Sequence, residues 1–228
     1  MTYVVSNLHG NYTKFKKLLE LIDFKEADIM YILGDIVDFG EESMELVGDI
    51  SVRYNVYSIV GEHDFMAVKM LTGFEKMLKS GEVPDKKFIE EMTEWSENGG
   101  AVTLASYRAL DEEMREGIID YLSDMTLYEE IQVGDRDYLL VHAGIANFAK
   151  DIDLDALAPE AFFSEALDLT KRYYDDKIII VGHNPTTEEN GGDGKIFYGN
   201  NSIDIDCGEA RGGAIGCLRL EDGREFYI

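Results

Sequence analysis

Basic residues are scarce. Lysine and arginine number 21 against 46 aspartates and glutamates, a net charge of −25 over 228 residues. So acidic a chain has no electrostatic grip on a nucleic-acid backbone or an anionic membrane. A phosphate substrate is still allowed, because bound metal ions supply positive charge locally. Cysteine is nearly absent, and Cys207 and Cys217 form neither a metal nor a redox spacing, which predicts a reduced, cytoplasmic protein. No apolar run approaches the roughly 20 residues of a membrane span. The N-terminus enters a strand-like run directly, without the basic and apolar regions of a signal peptide. There is no internal repeat, low-complexity tract or linker. With 45% hydrophobic residues, the expectation is one domain over 1–228 with a sizeable core.

Histidine is scarce too, and all four copies share a context. His9, His63, His142 and His183 each follow an apolar run: Val4-Val5-Ser6-Asn7-Leu8, Tyr57-Ser58-Ile59-Val60-Gly61-Glu62, Tyr138-Leu139-Leu140-Val141 and Ile178-Ile179-Ile180-Val181-Gly182. A lone histidine after a strand is usually a packed turn residue. Four in one context predict strand ends converging on one rim. The run Ile29–Leu33 leads into Gly34-Asp35-Ile36-Val37-Asp38-Phe39-Gly40, which puts Asp35 at a strand's carboxyl end, where open α/β sheets bind ligands. Its alternative is a βα turn with an acidic helix cap. His, Asp and Glu meeting at a point make a metal site by donor chemistry.

Patterning fills in the frame. Strands are expected at Tyr3–Ser6, Ile29–Leu33 and Val56–Val60. Helices follow the first two, Asn11 capping one and the other running from Glu41 to Arg53, a βαβαβ opening that implies a parallel sheet. Residues 65–127 read as a helical insert, either a lid over the site or a plain layer, with helices at Phe65–Leu78, Asp85–Trp95 and Glu112–Met125. Trp95 reads as a packing residue. Tyr128–Val133 and Arg136–Val141 flank Gly134-Asp135 as a hairpin. Lys177–Val181, Lys195–Tyr198, Ser202–Ile205, Gly213–Leu220 and Glu225–Ile228 complete the strands, the last three as a meander.

Asn7-Leu8-His9-Gly10, Gly34-Asp35-Ile36-Val37-Asp38, Gly61-Glu62-His63-Asp64, His142-Ala143-Gly144 and Gly182-His183 together resemble, in order and spacing, the calcineurin-like metallophosphoesterases. The bacterial branch with PPP-type serine/threonine phosphatases and symmetric diadenosine tetraphosphatases is the nearest in pattern. Trp95-Ser96-Glu97-Asn98-Gly99-Gly100 and Ile203-Asp204-Ile205-Asp206-Cys207-Gly208 extend the likeness over nearly the whole chain. It implies an α/β fold of two mixed sheets flanked by helices, and two divalent metal ions: manganese foremost, or iron, zinc, nickel or magnesium. By resemblance Asp35 bridges the metals, Asn7 and His9 complete one site, and Glu62, His142 and His183 the other. His63 protonates the leaving oxygen and Asp38 orients it, work that suits an imidazole paired with a carboxylate.

Three positions depart from the pattern. Asn7 stands where the family has Asp, Glu62 where it has Asn, and Phe39 where it has Arg. The first two keep two carboxylates on the metal pair but move one across it, which suggests retuning. The third removes a phosphate fork. Arg211 is the candidate substitute, ahead of Arg108 and Arg172, and Asn98 is expected to line the pocket. The expected activity is hydrolysis of phosphate esters, most like a protein phosphatase. The alternatives are a dinucleoside polyphosphate or other small phosphate ester as substrate, and a degenerate relative that binds metal or partner proteins. The partners are accordingly a phosphorylated protein or small phosphate ester, with no nucleic acid and no membrane.

Overall fold

The computed structural model describes residues 1–149, 151–189 and 191–228. The opening is β1 (Thr2–Val5), α1 (Tyr12–Leu21), β2 (Ile29–Ile32), α2 (Ser43–Ser51) and β3 (Val56–Ser58). Four helices follow: α3 (Glu62–Ser80), α4 (Lys86–Trp95), α5 (Ala101–Arg108) and α6 (Glu112–Ser123). The second half holds β4 (Tyr128–Val133), β5 (Arg136–Val141), β6 (Lys177–Val181), β7 (Phe197–Tyr198), β8 (Ser202–Asp204), β9 (Gly216–Arg219) and β10 (Arg224–Tyr227). The hairpin β4–β5 and strand β6 match the sequence reading, and α5 was not foreseen.

These strands form two mixed sheets, ordered β10-β9-β1-β2-β3 and β4-β5-β6-β8-β7. The pleat explains how they pack, since successive side chains point to opposite faces. On β1, Tyr3 and Val5 join the helical layer of Phe15, Leu18, Leu46, Met70 and Tyr107. Val4 points the other way, into an apolar layer it shares with Leu140, Ile180 and Ile203 of the second sheet. The outer face of that sheet, with Leu139, Val141 and Ile179, is covered by Phe162, Phe163 and Leu167 from a stretch of short turns.

The expected meander of the last three strands is corrected. β8 lies in the second sheet, parallel to β6, whereas β9 crosses over to pair antiparallel with β1 in the first. The chain between them, through Asp206, Gly208 and Arg211, therefore runs along the rim where both sheets end. No described helix is long and apolar enough to cross a membrane.

Candidate metal centre

Asp35 sits in the turn after β2, 2% exposed. Its Oδ1 accepts the backbone N–H of His63 at 3.0 Å. Its Oδ2 lies 3.2 Å from Asn7 Nδ2, 3.4 Å from His142 Nε2 and 3.9 Å from His9 Nε2. Ligand atoms of Asp35, His142 and His183 all fall within 4.8 Å of one another. The first sheet supplies Asn7, His9 and Asp35, and the second supplies His142 and His183, so the predicted convergence of strand ends is present.

The turns that make this rim are tight. Six of the nine described non-glycine residues with positive φ belong to it: Asn7, His9, Asp35, Asp38, Phe39 and His183. Asn, Asp and His tolerate the left-handed region, but for Phe39 it is an outlier. Strain of this kind persists only where surrounding structure holds it. Asp64 does much of the holding. Its buried carboxylate accepts N–H groups of Ile36 and Val37 on Oδ1 and of Gly61 on Oδ2. Burial and then the Asp35 charge push its pKa up to about 6. Glycine is required at 61, where a Cβ would come within 2.3 Å of Asp35 Oδ1.

The second-sheet side fits a divalent cation. His142 Nδ1 is 2.6 Å from the Leu33 carbonyl, which requires a proton on Nδ1 and turns Nε2 inward. That nitrogen faces His183 Nδ1 at 3.1 Å and the Asp35 carboxylate at 3.4 Å. Burial, then repulsion by His142, lowers the His183 pKa to about 4, so at neutral pH it offers a lone pair. Burial works against charge on His142, but Asp35 and the hydrogen bonds outweigh it and raise its pKa. For Asp35, burial is outweighed by His142, then His63 and His9, and its carboxyl is held well below the usual range. Two imidazoles and a carboxylate this close are a donor set for a divalent cation, which would displace the proton from His142 Nε2.

Beside this group stands a second pair. His63 Nδ1 is 2.8 Å from Asp38 Oδ2. Asp38 is wholly buried, and it accepts the Trp95 indole N–H at 2.9 Å and the Thr103 hydroxyl at 2.7 Å. Burial lowers the His63 pKa, but the hydrogen bond to Asp38 and the charges of Asp35, Asp38 and Asp64 prevail and raise it to about 9. The helical segment thus anchors the pair, and Trp95 donates a hydrogen bond as well as packing. Between α4 and α5 the chain kinks at Asn98 and Gly99, which leave helical φ/ψ, and the Gly99 carbonyl accepts the Phe39 N–H at 3.1 Å.

A family profile for calcineurin-like phosphoesterases matches residues 2–209. The chain belongs to this family. Two relatives named symmetrical bis(5'-nucleosyl)-tetraphosphatase are 27% identical over 95 residues (Wigglesworthia glossinidia brevipalpis) and 33% identical over 78 (Haemophilus ducreyi). Those stretches cover 38% and 33% of this chain and 35% and 29% of the relatives, so it matches about a third of their length. Among solved structures, one provisionally named a diadenosine tetraphosphatase superposes over 100% of this chain and 92% of its own, with TM-score 0.65 and 17% identity. A protein serine/threonine phosphatase from Saccharomyces cerevisiae gives 0.57 at 13% identity, over 100% and 78%. These establish a shared fold.

Not every expected residue lies where this calcineurin-like family pattern would put it. Glu62, the first residue of α3, is exposed, and it lines a cleft of about 240 Å³ with His63, Met66, Glu94, Trp95 and Asn98. It stands outside the compact group of Asp35, His142 and His183. A separate pocket of about 180 Å³ over the rim includes Asn7, His9, Asp35, Phe39, His63, Asn98, His183, Asp206 and Arg211. Arg211 is 64% exposed and paired with Glu188. Phe39 packs edge-on against His9 and His63, ring centroids 5.0 and 5.1 Å apart. Arg108 lies over Phe74, and Arg172 binds the Tyr174 and Asp175 carbonyls; neither lines the pocket. Sequence reasoning overlooked Asp64 and also Asp206, which is 4% exposed and accepts the Gly208 N–H. Burial raises the Asp206 pKa to about 6. An acid flanked by apolar residues in a matching string was its only signal.

Proposed function

We propose that this phosphoesterase hydrolyses small phosphate esters, with a dinucleoside polyphosphate as the leading substrate class and a phosphoprotein as the lesser one. The observation that carries the hydrolytic reading is the compact Asp35, His142 and His183 group beside the His63–Asp38 pair. The names of the sequence relatives favour the small substrate.

Asp35, His142 and His183 would hold a divalent ion, and Glu62 would join them by turning in from its cleft. When bound, such an ion supplies charge neutralisation at phosphorus and lowers the pKa of water. The protein's share is the rest. His63, charged at neutral pH, delivers a proton from Nε2 to the departing oxygen, since Nδ1 is held by Asp38. Trp95 and Thr103 keep Asp38 from following that proton. Asn98, at the boundary of pocket and cleft, and Arg211, at the rim, would steady the phosphate oxygens.

The test is hydrolysis of diadenosine tetraphosphate, an aryl phosphate and a phosphopeptide with added Mn²⁺. The expected ranking puts the dinucleotide first in kcat/KM and the phosphopeptide last. Turnover of the phosphopeptide alone would reverse the substrate assignment, and inactivity on all three would favour a degenerate relative.

A further inference from the structure

The two ends of the Asn7 carboxamide are told apart by their neighbours. The His183 backbone N–H lies 3.1 Å from Oδ1. An N–H needs an acceptor, so that end is the oxygen and the other the amino group. Nδ2 is 3.2 Å from Asp35 Oδ2 and 3.4 Å from His9 Nε2. His9 sets Nδ1 3.3 Å from the Val37 carbonyl, which places its proton there and leaves Nε2 as an acceptor. Both amide hydrogens therefore have acceptors. Those acceptors are the two groups that the first of the expected metal ions would take as ligands.

The amide is also fixed in place. Asn7 is 3% exposed, and a Cβ on Gly182 would come within 2.7 Å of its Oδ1. A flipped amide would turn its amino group against the His183 N–H, donor against donor. With aspartate at this position the inward end would be a second oxygen, and Asp35, His9 and that oxygen would crowd acceptors around a common space. Asparagine fills the space with protons instead. Across Asp35 no amide intervenes between His142, His183 and the carboxylate.

We propose that the Asn7 amino group takes the place of one metal ion, so that this chain is a one-metal phosphoesterase. A single divalent cation binds Asp35, His142 and His183, and Asn7 with His9 orients Asp35 from the other side. The inference rests on the metal-dependent reading above and narrows it. It makes the phosphate lean on one ion together with charged His63, in a site that has also exchanged an arginine for Phe39.

The experiment counts ions. Wild-type protein and Asn7→Asp are loaded with Mn²⁺, freed of excess by dialysis, and measured by elemental analysis and electron paramagnetic resonance. The wild type is expected to hold one Mn²⁺ per chain with the signal of an isolated ion, and Asn7→Asp two, with the signal of a spin-coupled pair. Two ions or a coupled signal in the wild type would overturn the proposal while leaving metal-dependent hydrolysis intact. One ion in folded Asn7→Asp would overturn it as well, because the amide would not be what excludes the second. No bound Mn²⁺ in either protein would overturn both readings. The wild-type count decides the matter even where Asn7→Asp does not fold.

Discussion

The two sides of Asp35 are built from similar side chains and left in opposite states. On the first-sheet side, Asn7 and His9 complete a closed hydrogen-bond network, every donor matched to an acceptor. On the second-sheet side, His142 Nε2 stands 3.1 Å from His183 Nδ1 and 3.4 Å from the Asp35 carboxylate, a donor set that a cation can enter by displacing one proton. A buried polar cluster is stable when satisfied and costly when it is not. One side is thus finished by the protein itself, and the other is made to be finished by a cation. A single carboxylate-to-carboxamide exchange accounts for the contrast.

Removing the group both sides share should have the largest effect. Asp35→Asn is expected to abolish Mn²⁺ binding in calorimetric titration and to lower kcat/KM by about 1,000-fold or more, as loss of a preorganised electrostatic group does. Retained metal binding would mean that the histidines suffice.

Next comes the neighbouring pair. His63→Gln should cost roughly 100-fold or more for a poor leaving group and far less for an aryl phosphate, whose oxygen leaves without a proton. The pH dependence follows from the raised pKa. His63 is charged below about 9, so the kcat profile should fall above that pH, and Asp38→Asn should move this limb down toward about 6.5, where a free imidazole titrates. Stability follows the same sign. The folded-state pKa is raised, so the pair's contribution is full below about 6.5 and is lost as pH rises through about 9. Thermal melts at pH 6 and pH 10 should therefore differ more for wild type than for Asp38→Asn.

A smaller effect separates rim from centre. Phe39→Arg should lower KM for a phosphomonoester by about 10-fold, a gain of roughly 1.4 kcal/mol from a charge-assisted fork. The smallest effect belongs to Arg211→Ala. This side chain is mostly exposed and already paired with Glu188, so a KM increase of about 2- to 5-fold is expected, in keeping with the modest worth of exposed charges. An unchanged KM would remove Arg211 from the site.

What the sequence made legible was the rim. Apolar runs ending in histidine marked four strand ends, and the two sheets do bring His142 and His183 to Asp35. What stayed hidden depended on hydrogen-bond partners far along the chain. Asn7 reads as a weaker ligand until His183, 176 residues away, fixes which end faces inward. Asn11 reads as a helix cap, but it bonds Glu209, while Glu42 caps that helix through Thr13. Trp95 looks like packing because its N–H partner, Asp38, is 57 residues earlier. The last strands read as a meander because local patterning does not say which sheet a strand joins.

Anomalous scattering at the manganese edge, from crystals grown with Mn²⁺, tests the central claim most directly. One peak per chain is predicted, in direct contact with Asp35, His142 and His183, with Asn7 Nδ2 still on Asp35. A second peak between Asn7, His9 and Asp35, or no peak near Asp35 at all, would contradict the account.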